Sequence, residues 1–517
     1  MNKLAYLLPL IQKHITQLWK DGVIAVRPGY LTKDNWPTDK PAIIVTVSQT
    51  AMPVDLPDQI EGTPVEVRKA TDLEELSAQQ PEQMATVAAQ HPEFRDDAFP
   101  KITPPDNSEE AVPPVDVLAA GKPQEPYTPP TGVILSPVTG SFTITCHASP
   151  DSGWPTLRDF LSKTKNTLTV GLYDFTSKHI LDTVETSLLG AKTMKITLDN
   201  PAKNPTADQT DTETLQSLID DLGPSFGSAW ALVKTNKAVP RWIYPNAYHI
   251  KVAVRDHSAM WLSSGNWNNS NQPDMDPINH PATTDQALAK KSDRDWHVII
   301  EHPGLAQTYE AYLKHDFDVA SQIEGGGADL QEAITQAVTP DILRMAPTGT
   351  FQFHAPLKLV NQPMTITPLL TPDPGVYVNA MQKLLQSATH TLYIQLQYIH
   401  PPADTDGLSA LVDTVVQKID ANLDVRILLS QWQLSNGWLD RLKAAGVSLD
   451  HVRIQNGVHN KGFVVDSKIV ALGSQNWSSD GVLRNRDASV IINHPKAAQY
   501  YEQLFLHDWT RLSKQSM

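Results

Sequence analysis

The chain has 517 residues, a single cysteine (Cys146) and a formal net charge of −15; at about 150 residues per domain that length makes roughly three domains, each able to bury a core. One thiol excludes an intramolecular disulfide framework and any zinc ribbon or iron–sulfur cluster built from clustered thiolates. The acidic excess disfavours a generic nucleic-acid binder, which needs a basic footprint, and no apolar run reaches the roughly 18 residues that span a bilayer.

The first eleven residues superficially resemble a signal peptide, but the apolar stretch is short, Lys13 and His14 interrupt it, and no small-residue cleavage site follows. Leu4, Leu7, Leu8, Ile11, Ile15 and Leu18 recur instead at helical spacing. They predict an amphipathic helix packed on its own domain, because Lys/Arg are too sparse on the polar face for a membrane-surface helix. A soluble, cytoplasmic protein is the expectation. Apolar, β-branched runs at Val23–Val26, Ala42–Val47 and Val65–Val67, separated by Pro/Asp/Asn turns, complete a small α+β module over residues 1–76. It carries no catalytic constellation, and a protein partner, in recruitment or regulation, is the role left to it.

Residues 77–131 read as a linker. Nine prolines fall between Phe99 and Thr131, a composition that favours extended backbone and cannot bury a core. Residues 1–90 hold eight Lys/Arg against eleven Asp/Glu and residues 91–126 three against eight, so only −7 of the −15 falls on 127–517.

From about residue 132 the chain repeats itself at an offset near 200 residues. Thr167–Phe175 parallels Thr391–Ile399, Met194–Asn200 parallels Val425–Gln431, and Asp293–Pro303 parallels Asn485–Pro495. Strands alternate with amphipathic helices in each half, which predicts two homologous α/β lobes, 132–335 and 336–517, with mainly parallel or mixed sheets.

Inside the repeat lies the informative pattern. The first copy reads His249-x-Lys251, then Asp256, then Ser263-Ser264-Gly265-Asn266; the second reads His459-x-Lys461, Asp466, Gly473-Ser474-Gln475-Asn476 at the same spacing. Tryptophan follows each, at Trp267 and Trp477. Each histidine and its lysine stand two apart on a strand, so both side chains point to one face. A single His-x-Lys would read as a solvated strand face; the second copy and the trailing Ser and Asn reverse that reading.

These residues resemble the phospholipase D superfamily, whose signature HxKxxxxDxxxxxxGSxN occurs here twice across 132–517. Only Ser263, where the pattern has Gly, departs from it, and it removes no reacting group. The resemblance implies an α/β fold of two homologous sandwich lobes with pseudo-two-fold symmetry and one active site at their interface, each lobe donating a His-Lys-Asn set. One chain supplies both halves, so catalysis needs no dimer.

The chemistry is consistent with elementary requirements. A phosphodiester is anionic, and Lys251, Lys461, Asn266 and Asn476 can neutralise its non-bridging oxygens, with the Ser264 and Ser474 hydroxyls as further donors. Two imidazoles can divide the labour, one as nucleophile and one as acid then base. A nucleophilic imidazole needs its proton on the far nitrogen and a carboxylate to hold it there. Asp295 and Asp487, aligned by the repeat, suit that role, and acidic residues at this place orient the histidines in the family. Counted from the histidine of its own copy, Asp295 lies 46 residues on and Asp487 lies 28. The extra residues around Gln272–Lys290 read as an inserted loop shaping entry on the His249 side. By resemblance Asp256 and Asp466 are structural carboxylates outside the reaction centre, His249 is the nucleophile and His459 the acid.

The expected activity is therefore hydrolysis or transfer at a phosphodiester through a covalent phosphohistidine. A phospholipid headgroup is the favoured substrate, with peripheral membrane contact. Six tryptophans near the motifs (Trp242, Trp261, Trp267, Trp432, Trp438, Trp477) and the mild acidity of 127–517 suit a lipid interface better than a duplex. Trp267 and Trp477 themselves read as packing residues. A metal-independent nuclease of the same superfamily is the alternative; a recruitment protein using residues 1–76 is a third. His257, His280 and His297 make no metal-ligand spacing, and neither metal nor cofactor is expected.

Overall fold

The computed structural model describes residues 3–34, 36–81, 84, 98–100, 102–103, 127–199, 208–233, 241–242, 244, 247–282, 285–321 and 349–515. Residues 104–126 of the expected linker and the expected lobe boundary at 335/336 lie outside the described residues.

The N-terminal helix, Leu7–Leu18, buries Leu7, Ile11, Ile15 and Leu18, the stripe of an amphipathic helix lying on a sheet. That sheet has four strands, β1 (Val23–Lys33), β2 (Trp36–Val47), β3 (Gln59–Ile60) and β4 (Thr63–Lys69), in the order β1-β2-β4-β3. Its core is shared with the far end of the chain, since Trp438 and Ala444 belong to the same apolar cluster as Leu4 and Leu7.

Fourteen later strands form one continuous sheet. The first repeat contributes β5 (Val138–Ser149), β6 (Thr167–Leu172), β7 (Thr193–Leu198) and β8 (Phe226–Trp230). A separate two-stranded ribbon, β9 (Leu232–Val233) and β10 (Arg241–Trp242), precedes β11 (Val252–Arg255), β12 (Ala259–Ser263) and β13 (Asp295–Glu301). The second repeat contributes β14 (Leu357–Thr371), β15 (Thr391–Leu396), β16 (Asp424–Leu429), β17 (Val452–Ile454), β18 (Lys461–Val465), β19 (Ile469–Gly473) and β20 (Asp487–Asn493).

The order is β17-β16-β15-β18-β19-β20-β14-β5-β13-β12-β11-β6-β7-β8. Exchanging each strand for its repeat partner gives the same order read backwards, which is the pseudo-two-fold axis. It passes between β5 and β14, antiparallel from Leu357 opposite Cys146 to Ile366 opposite Val138. The three outer strands at each end are parallel, so both half-sheets are mixed, and their fusion into one sheet is a feature the repeats alone did not reveal. Helices Pro303–Ser321 and Pro495–His507 cover the centre in a single core that takes residues from β5, β13, β14 and β20. Helices Gly153–Ser162, Lys178–Leu188 and Asp211–Leu222 cover the other face of the first half. Their ends are set locally: the Thr210 hydroxyl accepts from the Glu213 N–H while the Glu213 carboxylate accepts from the Thr210 N–H.

The hairpins β11–β12 and β18–β19 carry the motifs. Both turn through consecutive positive-φ residues, Asp256 (53°) and His257 (56°) in one, Asp466 (50°) and Ser467 (54°) in the other. Asp tolerates this conformation, and its carboxylate is used. Asp256 accepts from the backbone N–H groups of Lys165, Asn166 and Thr167, and Asp466 from those of Thr389, His390 and Thr391. The motif aspartates thus pin the hairpin tip to the start of the neighbouring strand. Burial raises the Asp466 carboxyl, but the Thr389 hydroxyl and the three amides outweigh it and hold it at about 2. Its contribution to stability is full above the ordinary Asp value near 4 and is lost as pH falls towards 2.

Asp256→Ala and Asp466→Ala are each expected to cost about 1–2 kcal/mol, the loss of charge-assisted bonds to backbone amides at the hairpin tip, and to leave turnover of the folded protein unchanged. Thermal melts and rates on the same samples check this; lost turnover at unchanged melting temperature would put these carboxylates in the reaction centre.

Candidate active site

His249 and His459 lie just before β11 and β18, and each is met by the opposite half of the molecule. Backbone bridges join Tyr248 to Arg486 and Arg294 to Val458, with the Arg486 N–H donating to Ala247 O at 3.1 Å and the Arg294 N–H to Gly457 O at 2.6 Å. The residue after each arginine is the repeat-aligned aspartate. His249 Nδ1 lies 2.8 Å from Asp487 Oδ1, and His459 Nδ1 lies 2.9 Å from Asp295 Oδ1. The carboxylates are therefore exchanged: each orients the histidine of the other copy, not its own. The spacings of 46 and 28 residues described pairs that do not exist, because the β13 and β20 ends point across the pseudo-two-fold axis.

Two arginines fix this crossing. Arg294 donates to Asp151 at 2.6 Å and to Asp508 at 2.9 Å; Arg486 donates to Asp316 at 2.9 Å. All of these side chains are fully buried. The Arg294–Asp508 and Arg486–Asp316 pairs each cross the interface in opposite directions. Removing one partner of such a pair strands a buried charge, at about 3–5 kcal/mol. Sequence reading missed all four, although the Arg-Asp dipeptide in both copies was the available signal.

The serines have a different task from the one expected. Ser264 Oγ donates to Asp295 Oδ1 and Ser474 Oγ to Asp487 Oδ1, both at 2.6 Å. Their hydroxyls hold the carboxylates rather than reach for a phosphate. Gly265 leaves room for this, since a Cβ there would lie 2.6 Å from Asp295 Oδ2. Ser263, the departure from the family pattern, accepts from the Gly265 N–H at 2.7 Å and pairs with His297 Nδ1 at 2.6 Å. In the second copy a Cβ at Gly473 would fall 1.9 Å from Ser489 Oγ; serine at 263 is matched by histidine at 297, glycine at 473 by serine at 489.

Lys251 is fully buried; its Nζ donates to His249 O at 2.6 Å and stands 5.3 Å from the centre of the Tyr173 ring. Lys461 Nζ lies 3.3 Å from Gln397 Oε1 and 3.2 Å from His459 Nε2. Tyr173 and Gln397 occupy the same place in the repeat, and because their types differ no motif marked them. Asn266 and Asn476 are buried, and the amide oxygen of each finds no partner among the described residues. Trp267 and Trp477 are fully buried, Trp267 edge-on to Phe175 and Trp477 donating to Tyr377 Oη. Trp261 and Trp438 are buried too and Trp432 is half-buried, so these tryptophans form no exposed belt, and that argument for a lipid surface falls. The Trp242 side chain lies outside the described residues. The Gln272–Lys290 insertion packs Met275 and Ala289 on Phe351 and Leu512, with Asp274 accepting from Trp154.

Electrostatics separate the two halves. Burial, with Lys251 and Lys461 nearby, pushes His249 well below its usual range, favouring the neutral imidazole. Burial raises Asp487 to about 7 against the opposing pull of Lys251. Asp295 is equally buried, yet the charge and hydrogen bond of His459 outweigh burial and hold it at about 2. Burial also depresses Lys251 strongly, with Asp487 opposing. Among the described residues no group of three or more His, Cys, Asp or Glu side chains is arranged to hold a metal ion.

The site is thus built on a mixed α/β sheet with a pseudo-two-fold axis, from two His-Lys sets whose carboxylate partners are exchanged between halves. A family model described as cardiolipin synthase, PLD-like domain, matches residues 381–509. Over those residues the chain is similar to a phospholipase D-like domain. Curated relatives include a mitochondrial cardiolipin hydrolase of Chlamydomonas reinhardtii, 26% identical over 24% of this chain and 54% of that protein. Another, from Mus musculus, is 28% identical over 15% of this chain and 34% of that protein. The chain thus spans about half the length of the first and a third of the second. Among solved structures, phosphatidylserine synthase of Haemophilus influenzae is similar at 13% identity and a TM-score of 0.47, over 72% of this chain and 89% of that one. Nuc of Salmonella typhimurium is similar at 18% identity and a TM-score of 0.24, over 29% and 95%.

Ser474→Ala removes one donor to Asp487 and is expected to lower turnover about ten- to hundredfold, the value of a bond to a charged group, with KM unchanged. Because that bond lowers the Asp487 carboxyl, the acid limb of the rate should also move to higher pH. Steady-state kinetics across pH check it; raised KM at unchanged turnover would return the serine to substrate contact.

Proposed function

We propose that the protein is a phospholipase D-type phosphodiesterase acting through a phosphohistidine on His249, with phospholipid headgroup diesters as substrate. The observation that carries this reading is the exchanged pair, His249 with Asp487 and His459 with Asp295, flanked by Lys251 and Lys461. Asp487 engages His249 Nδ1, which leaves Nε2 as the attacking atom. A neutral, buried imidazole suits a nucleophile. His459 Nδ1 engages Asp295, which leaves its Nε2 facing the leaving group, the place of a general acid.

In the first step a lone pair on His249 Nε2 forms the N–P bond, the P–O bond to the leaving group breaks, and His459 delivers its Nε2 proton to the departing oxygen. In the second, His459 takes a proton from water as the water oxygen bonds to phosphorus and the N–P bond breaks. Lys251, Lys461 and the Asn266 and Asn476 amides neutralise the non-bridging oxygens in both steps. The protonation state of Asp487 decides competence. Ionised, it accepts from His249 Nδ1–H and leaves Nε2 free; protonated, it donates to Nδ1 and moves the imidazole proton to Nε2, which cannot then attack.

A lipid substrate is supported by the description of the matching family and by both curated relatives, named for cardiolipin, a phospholipid. Incubation in EDTA with phosphatidylcholine or cardiolipin vesicles plus ethanol, and separately with single- and double-stranded nucleic acid, tests it. Headgroup release and a phosphatidylethanol product in EDTA are expected. Cleavage of nucleic acid alone would assign the nuclease alternative, and activity restored only by a divalent ion would overturn the metal-free mechanism. The rate should fall as pH drops through about 7, where Asp487 takes up its proton. Asp487→Asn should cost about 10⁴-fold, as loss of the orienting carboxylate does in the serine-protease triad, and should abolish that limb.

A further inference from the structure

The N-terminal sheet is seated on helix Trp438–Ala444 of the second lobe, which is bonded to the segment that follows Gln397. Arg27 donates to Asp440 at 2.7 Å, with side chains 11% and 2% exposed. Helix Trp438–Ala444, which bears Asp440, begins at Gly437 (φ 77°), where a Cβ would lie 2.7 Å from Arg27 Nη1. A Cβ at Gly29 would meet Asp440 Oδ2 at 3.0 Å. Two glycines therefore make room for one buried ion pair.

The same helix is stitched to residues 397–402. The Gln433 amide accepts from the Ile399 N–H and donates to both Ile399 O and Trp438 O. Arg441 donates to Pro401 O. The His400 ring lies flat between Trp438 and Tyr398, with centroids 3.7 and 4.1 Å away. Tyr398 follows Gln397, whose amide oxygen accepts from Lys461. In the first lobe the equivalent segment is held from within that lobe: Asp211 accepts from the Phe175 N–H and Thr214 donates to Phe175 O, and Lys251 stands over a Tyr173 ring instead of an amide.

We propose that the N-terminal module is a positioning element of the second half-site: by clamping helix Trp438–Ala444 through Arg27–Asp440 it fixes Gln397 and, through it, the Lys461 ammonium. This rests on the reading of Lys461 as a phosphate-binding group. Gln397 and Arg27 are positioning residues that act through Lys461, and the module makes the two half-sites unequal.

The test uses the full chain with bis(p-nitrophenyl) phosphate in EDTA. Arg27→Ala and Gln397→Ala are each expected to lower kcat about tenfold at similar KM, and the double variant no further than either alone, because both act through one route. Arg27→Lys, which keeps the charge opposite Asp440, should recover most of the loss, and amide exchange should rise in 397–402 and 430–444 of Arg27→Ala. Unchanged kcat in Arg27→Ala, or additive losses in the double variant, would overturn the proposal. His249→Ala, assayed alongside, separates the two claims: full activity there would sink the reading of this site as the one that carries the phosphohistidine. Exchange at 397–402 would still decide the positioning, unchanged exchange in Arg27→Ala counting against it. If Arg27→Ala does not fold, Asp440→Asn and Arg27→Lys carry the same comparison.

Discussion

Each half of the molecule lends its carboxylate to the histidine of the other, and the rest of the structure is arranged to keep that crossing in register. A fully buried carboxylate is tolerated only with partners, and Asp295 and Asp487 have two each: a serine from their own copy and a histidine from the other. The crossing demands that the lobes stay fixed to within a hydrogen bond. The continuous sheet through β5 and β14, the core beneath it, and the Arg294 and Arg486 ion pairs that run in opposite directions supply that constraint. Neither lobe has a complete half-site by itself.

Near-symmetry of the backbone leads to asymmetry of charge. The two Asp–His pairs have almost equal lengths, yet Asp487 stands near 7 and Asp295 near 2. Both carboxylates are fully buried; the charge and hydrogen bond of His459 hold Asp295 down, whereas burial prevails at Asp487 and also pushes its partner His249 below the usual range. Lys251, wholly buried on the His249 side, further disfavours a second positive charge there. Two near-identical motifs thus sit beside carboxylates of different acidity, because their surroundings differ.

Much of this was legible in the sequence. The 200-residue repeat, the paired His-x-Lys motifs and the helix at Leu7–Leu18 follow from periodicity and motif spacing, which are local properties, while a structural task for Asp256 and Asp466 was implied by the family resemblance. What was not legible depends on how the halves meet. Spacing along the chain suggested that Asp295 serves His249, and only the geometry across the axis reverses this. Ser264 and Ser474 are ordinary donors in sequence and became carboxylate holders because β13 and β20 pass behind them. Tryptophans that composition offered to a membrane turned out to fill the core, since an indole near a motif says nothing of which way it faces. The N-terminal module docks on helix Trp438–Ala444 through a shared apolar cluster and the Arg27–Asp440 pair, which joins residues 413 apart, a distance at which no pattern in the chain points to a partner.

The division of roles is tested most directly by asking which histidine carries phosphorus. His459→Ala retains the nucleophile and its Asp487 but lacks the acid, so an aryl phosphodiester with a good leaving group should load it and stall. Mass spectrometry of a quenched, base-stable and acid-labile adduct is expected to locate the phosphoryl group on His249. An adduct on His459 in His249→Ala protein, with none on His249 in the wild type, would contradict the account.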